Sequence, residues 1–191
     1  MQPLADKSLA SVIDIKAFTF EYSEVQDRIR LSGNLYNDGQ EVSFWITRRL
    51  ALRLLNAAID LIERTSPAVA LAPSDHRSAM AMFEHQSAQL ALSATVGLNA
   101  DFIVTKEGSG AAPEPKIAAN ILQRLDISCK NQQYKLSFYT SSTADVVAES
   151  SIDYNQLHQI ISLIHRGAKV LDWGVSDNLF LAVGASEYTL Q

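Results

Sequence analysis

Four histidines, one cysteine and a cluster of arginines are the side chains of this 191-residue chain whose types suit chemistry. His158 and His165 stand on one flank of a predicted helix. With a rise of about 1.5 Å per residue they are roughly 10 Å apart along its axis, too far to share a metal ion. His76 and His85 fall on opposite faces of another predicted helix. No H-E-x-x-H occurs, so no metal site is expected. The plainer roles are a favourable charge near a helix C-terminus for His165 and a boundary position for His158.

Glu84-His85 and Asp75-His76 are acid–base pairs on paper. Adjacent helical residues point in different directions, so neither is a preformed dyad. A catalytic pair would have to be assembled from distant segments. Cys129 lies in a predicted strand beside Lys130, and buried strand cysteines are usually inert. There is no G-x-S-x-G, Walker loop or G-x-G-x-x-G, and Gly108-Ser109-Gly110 lacks the helix and lysine of a phosphate cradle. No catalytic residue and no cofactor are therefore expected.

Arg48, Arg49 and Arg53 begin a predicted helix, where positive charge opposes the macrodipole. Together with Arg28 and Arg30 they would form a patch for an anionic partner, a phosphate or a nucleic acid. The simpler account is a solvated face paired with Glu41, Asp60 or Glu63. Tyr36 and Trp45 share the outer face of a predicted hairpin and would make an aromatic protein-contact surface unless a second layer covers them.

The elements that must position these residues follow from periodicity. Asp38-Gly39 suits a type I′ turn. Folding the chain there sets Gly33 opposite Phe44 and Leu31 opposite Ile46, with Leu31, Leu35, Val42, Phe44 and Ile46 on one face. The ring of Phe44 would then cover the gap at Gly33. A helix capped by Thr47 follows, with Arg49, Arg53, Asn56, Asp60 and Arg64 as its narrow polar stripe. Residues 12–22 read as a strand that changes phase, which a bulge near Ala17 would reconcile. Residues 65–73 read as a loop. Ser74 caps a second helix, 75–92, whose apolar stripe is Ala79, Met82, Phe83 and Leu90, with Gln86 in its middle. Residues 95–104 alternate as a strand.

Residues 107–116 are the most loop-like stretch. Beyond them come strands at 125–129, 134–140 and 146–150. A helix follows, capped by Asp153 with Gln156, burying Leu157, Ile160, Ile161 and Ile164, and stopping at Gly167. A last strand is expected at 178–183. Strand, strand, strand, helix occurs twice, which suggests two similar βββα halves, 12–106 and 117–185, joined by 107–116 within one body.

Composition narrows the function classes. A net charge of −5 argues against a general nucleic-acid binder. One cysteine allows no intrachain disulfide and fits a reducing compartment. No signal segment or membrane span is apparent, so a cytoplasmic protein is expected. The reading is an α+β fold, mainly antiparallel sheet with about three helices. Its expected role is a non-enzymatic interaction or assembly module, acting on a protein partner or as a homodimer. The alternatives are an enzyme or small-molecule binder with a site between the halves, involving His85, Glu84 or Asp101, and an anion binder through the arginines.

Overall fold

The computed structural model describes residues 11–35, 38–95, 102–106, 117–141 and 145–180; for 91–95 and 102–106 it describes the backbone only. The strands are β1 (Ile13–Asp14), β2 (Phe18–Ser23), β3 (Arg28–Gly33), β4 (Val42–Thr47), β5 (Phe102–Lys106), β6 (Asn120–Ile121), β7 (Arg124–Lys130), β8 (Gln133–Tyr139) and β9 (Ala148–Ile152). The helices are α1 (Arg48–Thr65), α2 (Pro67–Leu71), α3 (Arg77–Thr95) and α4 (Tyr154–Val170). The fold is α+β, with two mainly antiparallel sheets ordered β1-β9-β8-β7 and β5-β2-β3-β4-β6. β2-β3-β4 is an antiparallel meander that runs into α1, and β7-β8-β9 is another that runs into α4.

The phase change in 12–22 is not a bulge. Ile13 and Asp14 pair with β9 in one sheet, and from Phe18 onward the chain pairs with β3 in the other. Each phase thus serves a different sheet. Asn34 holds the crossing. Its Oδ1 accepts from Lys16 N at 2.9 Å, its Nδ2 donates to Asp14 O at 2.9 Å and to Gln40 O at 3.0 Å, and its own N–H donates to Ala17 O at 3.0 Å. It does so in the left-handed region, φ 60°, which asparagine tolerates better than most residues.

That use of Asn34 also moves the hairpin. Gly33 lies opposite Val42 and Leu31 opposite Phe44, two residues from the register that a tight Asp38-Gly39 turn requires. An even slip preserves the faces, so Ile29, Leu31, Val42, Phe44 and Ile46 are all buried. The space above Gly33 is filled by Ile15 and Val42, not Phe44: a Cβ there would stand 3.0 Å from Ile15 Cγ1 and Cγ2 and from Val42 Cγ1.

The sheets meet through aromatic rings. Phe44 stacks on Phe138 with centroids 5.3 Å apart, and Phe18 lies 6.3 Å from the same ring. α1 is capped by Thr47 Oγ1, which accepts from Leu50 N, and buries Ala51, Leu54, Leu55, Ala58 and Ile62. The loop expected at 65–73 contains the one-turn α2, with Ser66 as its cap and Pro67 at its first position. α4 starts with the expected capping box: Gln156 N donates to Asp153 Oδ1 at 2.8 Å, and Asp153 N to Gln156 Oε1 at 2.9 Å.

α4 does not stop at Gly167 but continues to Val170. Gly167 is there for close approach to the sheet. α3 differs from expectation in two ways. It reaches Thr95, so the residue expected to open a strand is helical. It also turns most of its expected core stripe outward: Ala79 is exposed, Phe83 is 64% and Leu90 71% exposed, and Met82 packs half-buried on the core, while Ala81, His85 and Ala88 are buried. Of the strand expected at 95–104, Phe102 to Val104 are strand, in β5. Asn178 to Phe180 are not strand, and the rest of that expected strand lies outside the described residues, as does the 107–116 loop. No described helix is long and apolar enough to cross a membrane.

Candidate functional site

A group of polar side chains from distant segments converges where α3 lies on α4. α3 packs on α4, and the apolar side chains of α3 described as buried are small, Ala81 and Ala88, so polar side chains between the helices can meet. Glu84, His85 and Gln89 come from α3; Tyr154, His158 and Ser162 come from α4. Tyr154, His158 and Ser162 recur every four residues and form one row along α4, which His85 and Gln89, also four apart, meet from α3, while Glu84 reaches Tyr154 from the neighbouring flank.

Three bonded groups make up the seam. At one end, Glu84 Oε2 accepts from Tyr154 OH and from Ser66 Oγ, each at 2.6 Å. In the middle, His85 Nδ1 and His158 Nδ1 are 2.8 Å apart. At the other end, Gln89 Nε2 donates to Ser162 Oγ at 2.6 Å and lies 2.9 Å from His85 Nε2. This pattern assigns the protons. The Gln89 amide donates to His85 Nε2, so His85 carries its proton on Nδ1 and gives it to His158 Nδ1. His158 then carries its own proton on Nε2, a fully buried atom without a hydrogen-bond partner.

Rings enclose the pair. Tyr154 meets His158 edge-on at 4.4 Å, and Phe180 lies 5.0 Å from His85. Burial pushes both imidazoles down to about 4, helped at His85 by the neighbouring His158 and His165. Both are therefore neutral at pH 7. Burial and the bond to Glu84 hold the Tyr154 phenol well above its ordinary value. Burial also raises Tyr134, whose hydroxyl is 2.8 Å from Thr65 Oγ1.

The edge of His85 reaches a cavity of about 220 Å³ that Gln89, His165, Asp177 and Asn178 also line. A larger cavity, about 470 Å³, lies between α1 and residues 174–180 and is lined mainly by Leu52, Leu55, Ile59, Val175, Leu179 and Phe180. Among the described residues, no three His, Cys, Asp or Glu side chains gather as a metal set. Two neutral imidazoles sharing one proton can hold or relay a proton at the cavity edge.

Glu84 and His85, named from the sequence, do converge with a distant segment; Asp101 lies outside the described residues. His158 is no boundary residue, being fully buried on the apolar face of α4. Its spacing from Leu157 and Ile161 was the signal that it faces inward. His165 contributes through its ring, with Nε2 2.8 Å from Ser176 O.

Of the arginines, Arg30 is engaged by Ser43 Oγ, Ile117 O and the Trp45 ring, and Arg48 donates to Trp173 O at 3.2 Å. Arg49 and Arg53 are exposed and Arg28 half-buried. Trp45 is half-buried under Arg30, and Tyr36 lies outside the described residues. Cys129 is half-buried. Comparison with protein-family models, curated proteins and solved structures finds no match to this chain.

Proposed function

We propose that the chain is an interaction module that self-associates through the outer stripe of α3. One observation carries this reading: Met80, Phe83 and Leu90 recur at helical spacing and are 36%, 64% and 71% exposed. The choice of a second copy rests on charge. Among the residues of α3 the only charged side chains are Arg77 and Glu84, and Glu84 is tied inward by Tyr154 and Ser66. A two-fold interface sets a patch against itself, and an uncharged patch meets no like-charge penalty there. A single cysteine and an acidic chain fit work in the cytoplasm.

Light scattering after size exclusion, over a range of concentrations, tests this. A dimer that becomes a monomer in Phe83→Glu, with an unchanged circular dichroism spectrum, is expected. A wild-type protein that stays monomeric at every concentration would remove the reading.

A second reading is a small-molecule site between the two halves, 12–106 and 117–185. It is favoured by the cavity beside His85, since His85 and His158 come from different halves. Its mark would be a ligand whose stabilisation of the wild type is lost in His85→Gln. The reading of an anionic partner is weakened by the internal engagement of Arg30 and Arg48.

A further inference from the structure

α3 is held to the body by contacts unlike those that hold the other long helices. α1 and α4 bury leucines and isoleucines. The side chains of α3 described as buried are Ala81, His85 and Ala88. Two alanine methyl groups remove little apolar area from water. Among the described residues, the polar row of Glu84, His85 and Gln89 against Tyr154, His158 and Ser162 supplies side-chain bonds between α3 and α4, and Met82 adds a half-buried apolar contact with the core.

The central bond of that row requires one of the two rings to keep a bare Nδ1. At 2.8 Å between Nδ1 atoms, one ring donates and the other accepts. A first added proton can rest on His85 Nε2, with the Gln89 amide turned to accept from it, and leaves an imidazolium-to-imidazole bond; a second, on His158 Nδ1, sets N–H against N–H. His158 Nε2 already lacks a partner, so the new charge gains no hydrogen bond there.

The surroundings offer little compensation. On α3, Glu84 directs its bonded oxygen to the Ser66 and Tyr154 hydroxyls. On α4, His165 disfavours charge on His85. Asp177 lines the same cavity but pairs with Lys169 at 2.6 Å. Glu63 of α1 lines the neighbouring cavity beside His165, and Tyr134 of β8 lies beyond Tyr154, 6.3 Å from its ring.

We propose that the His85–His158 pair is a proton-operated latch: protonation of both rings from solvent parts α3 from α4 while both sheets stay folded. Presentation of the α3 surface is thereby coupled to acidity. The latch does not depend on what that surface binds. Because burial lowers both rings, it is closed at pH 7 and opens in acid, toward pH 4.

Hydrogen exchange of the full chain, read by mass spectrometry from pH 7 to pH 4 with times scaled for intrinsic rates, tests it. Protection over residues 77–90 should fall on the order of 50-fold by pH 4.5, while strands β3 and β8 keep theirs. In His85→Gln, whose amide can still donate to His158, that pH dependence should shrink. If this variant does not fold, ring titration by NMR in the wild type decides: the second of the two rings should take up its proton only as α3 loses protection. Protection of 77–90 unchanged at pH 4, or lost together with both sheets, would overturn the latch. So would two rings that titrate near pH 6.5 with α3 still protected.

Discussion

Gly167 of α4 lies so close to Tyr22 of β2 that a Cβ on the glycine would stand 2.7 Å from the tyrosine Cε1. Ile29 Cδ1 is equally near, and the Tyr22 hydroxyl donates to Leu163 O at 2.8 Å one turn earlier on the helix. This contact sets how deeply α4 sits on the sheet. Gly167→Ala is therefore expected to destabilise the protein by about 1–3 kcal/mol through overpacking, despite alanine's better helix propensity. Urea denaturation measures it, and a stabilised variant would show that α4 can lift without cost.

Asn34 gives a second expectation. Asn34→Ala removes bonds to Lys16 N, Asp14 O and Gln40 O and leaves alanine at a positive φ. At about 0.5–1.5 kcal/mol per bond, the loss should total about 2–4 kcal/mol. Asn34→Gly relieves only the backbone part, so it should recover less than half of the loss in the same denaturation series.

Tyr154→Phe tests the other end of the helix seam. It deletes one of the two hydroxyl donors to Glu84 Oε2. A partly buried carboxylate that loses one donor should cost about 1–3 kcal/mol. Glu84→Gln should cost a similar amount, and the double variant should cost less than the sum, because both remove the same bond. A strictly additive cycle would separate the two residues.

The histidine pair sets the pH dependence of stability. Both rings are lowered to about 4 when folded, against an unfolded value near 6.5. Between these values the unfolded chain binds more protons, so stability rises with pH there and falls as pH drops from 6.5 toward 4. For the first proton the loss is on the order of 3 kcal/mol by pH 4. Thermal unfolding should show a lower Tm below about pH 6 and a nearly flat profile from pH 7 to 8. The slope should be shallower in His158→Gln.

Tyr22 supplies an optical check. Burial pushes its phenol up to about 12. Its phenolate absorbance should appear only in strong base or on unfolding, and Gly167→Ala should bring it forward if the variant opens the contact.

Much of the architecture followed from side-chain order alone. The alternation of Leu31, Val42, Phe44 and Ile46, the Thr47 cap and the Asp153–Gln156 box act over a few residues, so local chemistry sufficed to place β3, β4, α1 and α4. Even where the hairpin register slipped, the inward face survived, because the slip was even and the strand period is two.

Three features were decided only by contacts between segments far apart in the chain. Asn34 reaches back to residues 14–17 and so turns an apparent bulge into a passage between sheets. α3 seats two alanines and a histidine instead of Phe83 and Leu90, because α4 offers it a polar row. Nothing within α3's own sequence reports what will lie opposite. The meeting of His85 with His158, 73 residues apart, likewise required both helices to be in place. A residue's type limits the bonds it can make, but a buried bond forms only where folding brings the second group and excludes water.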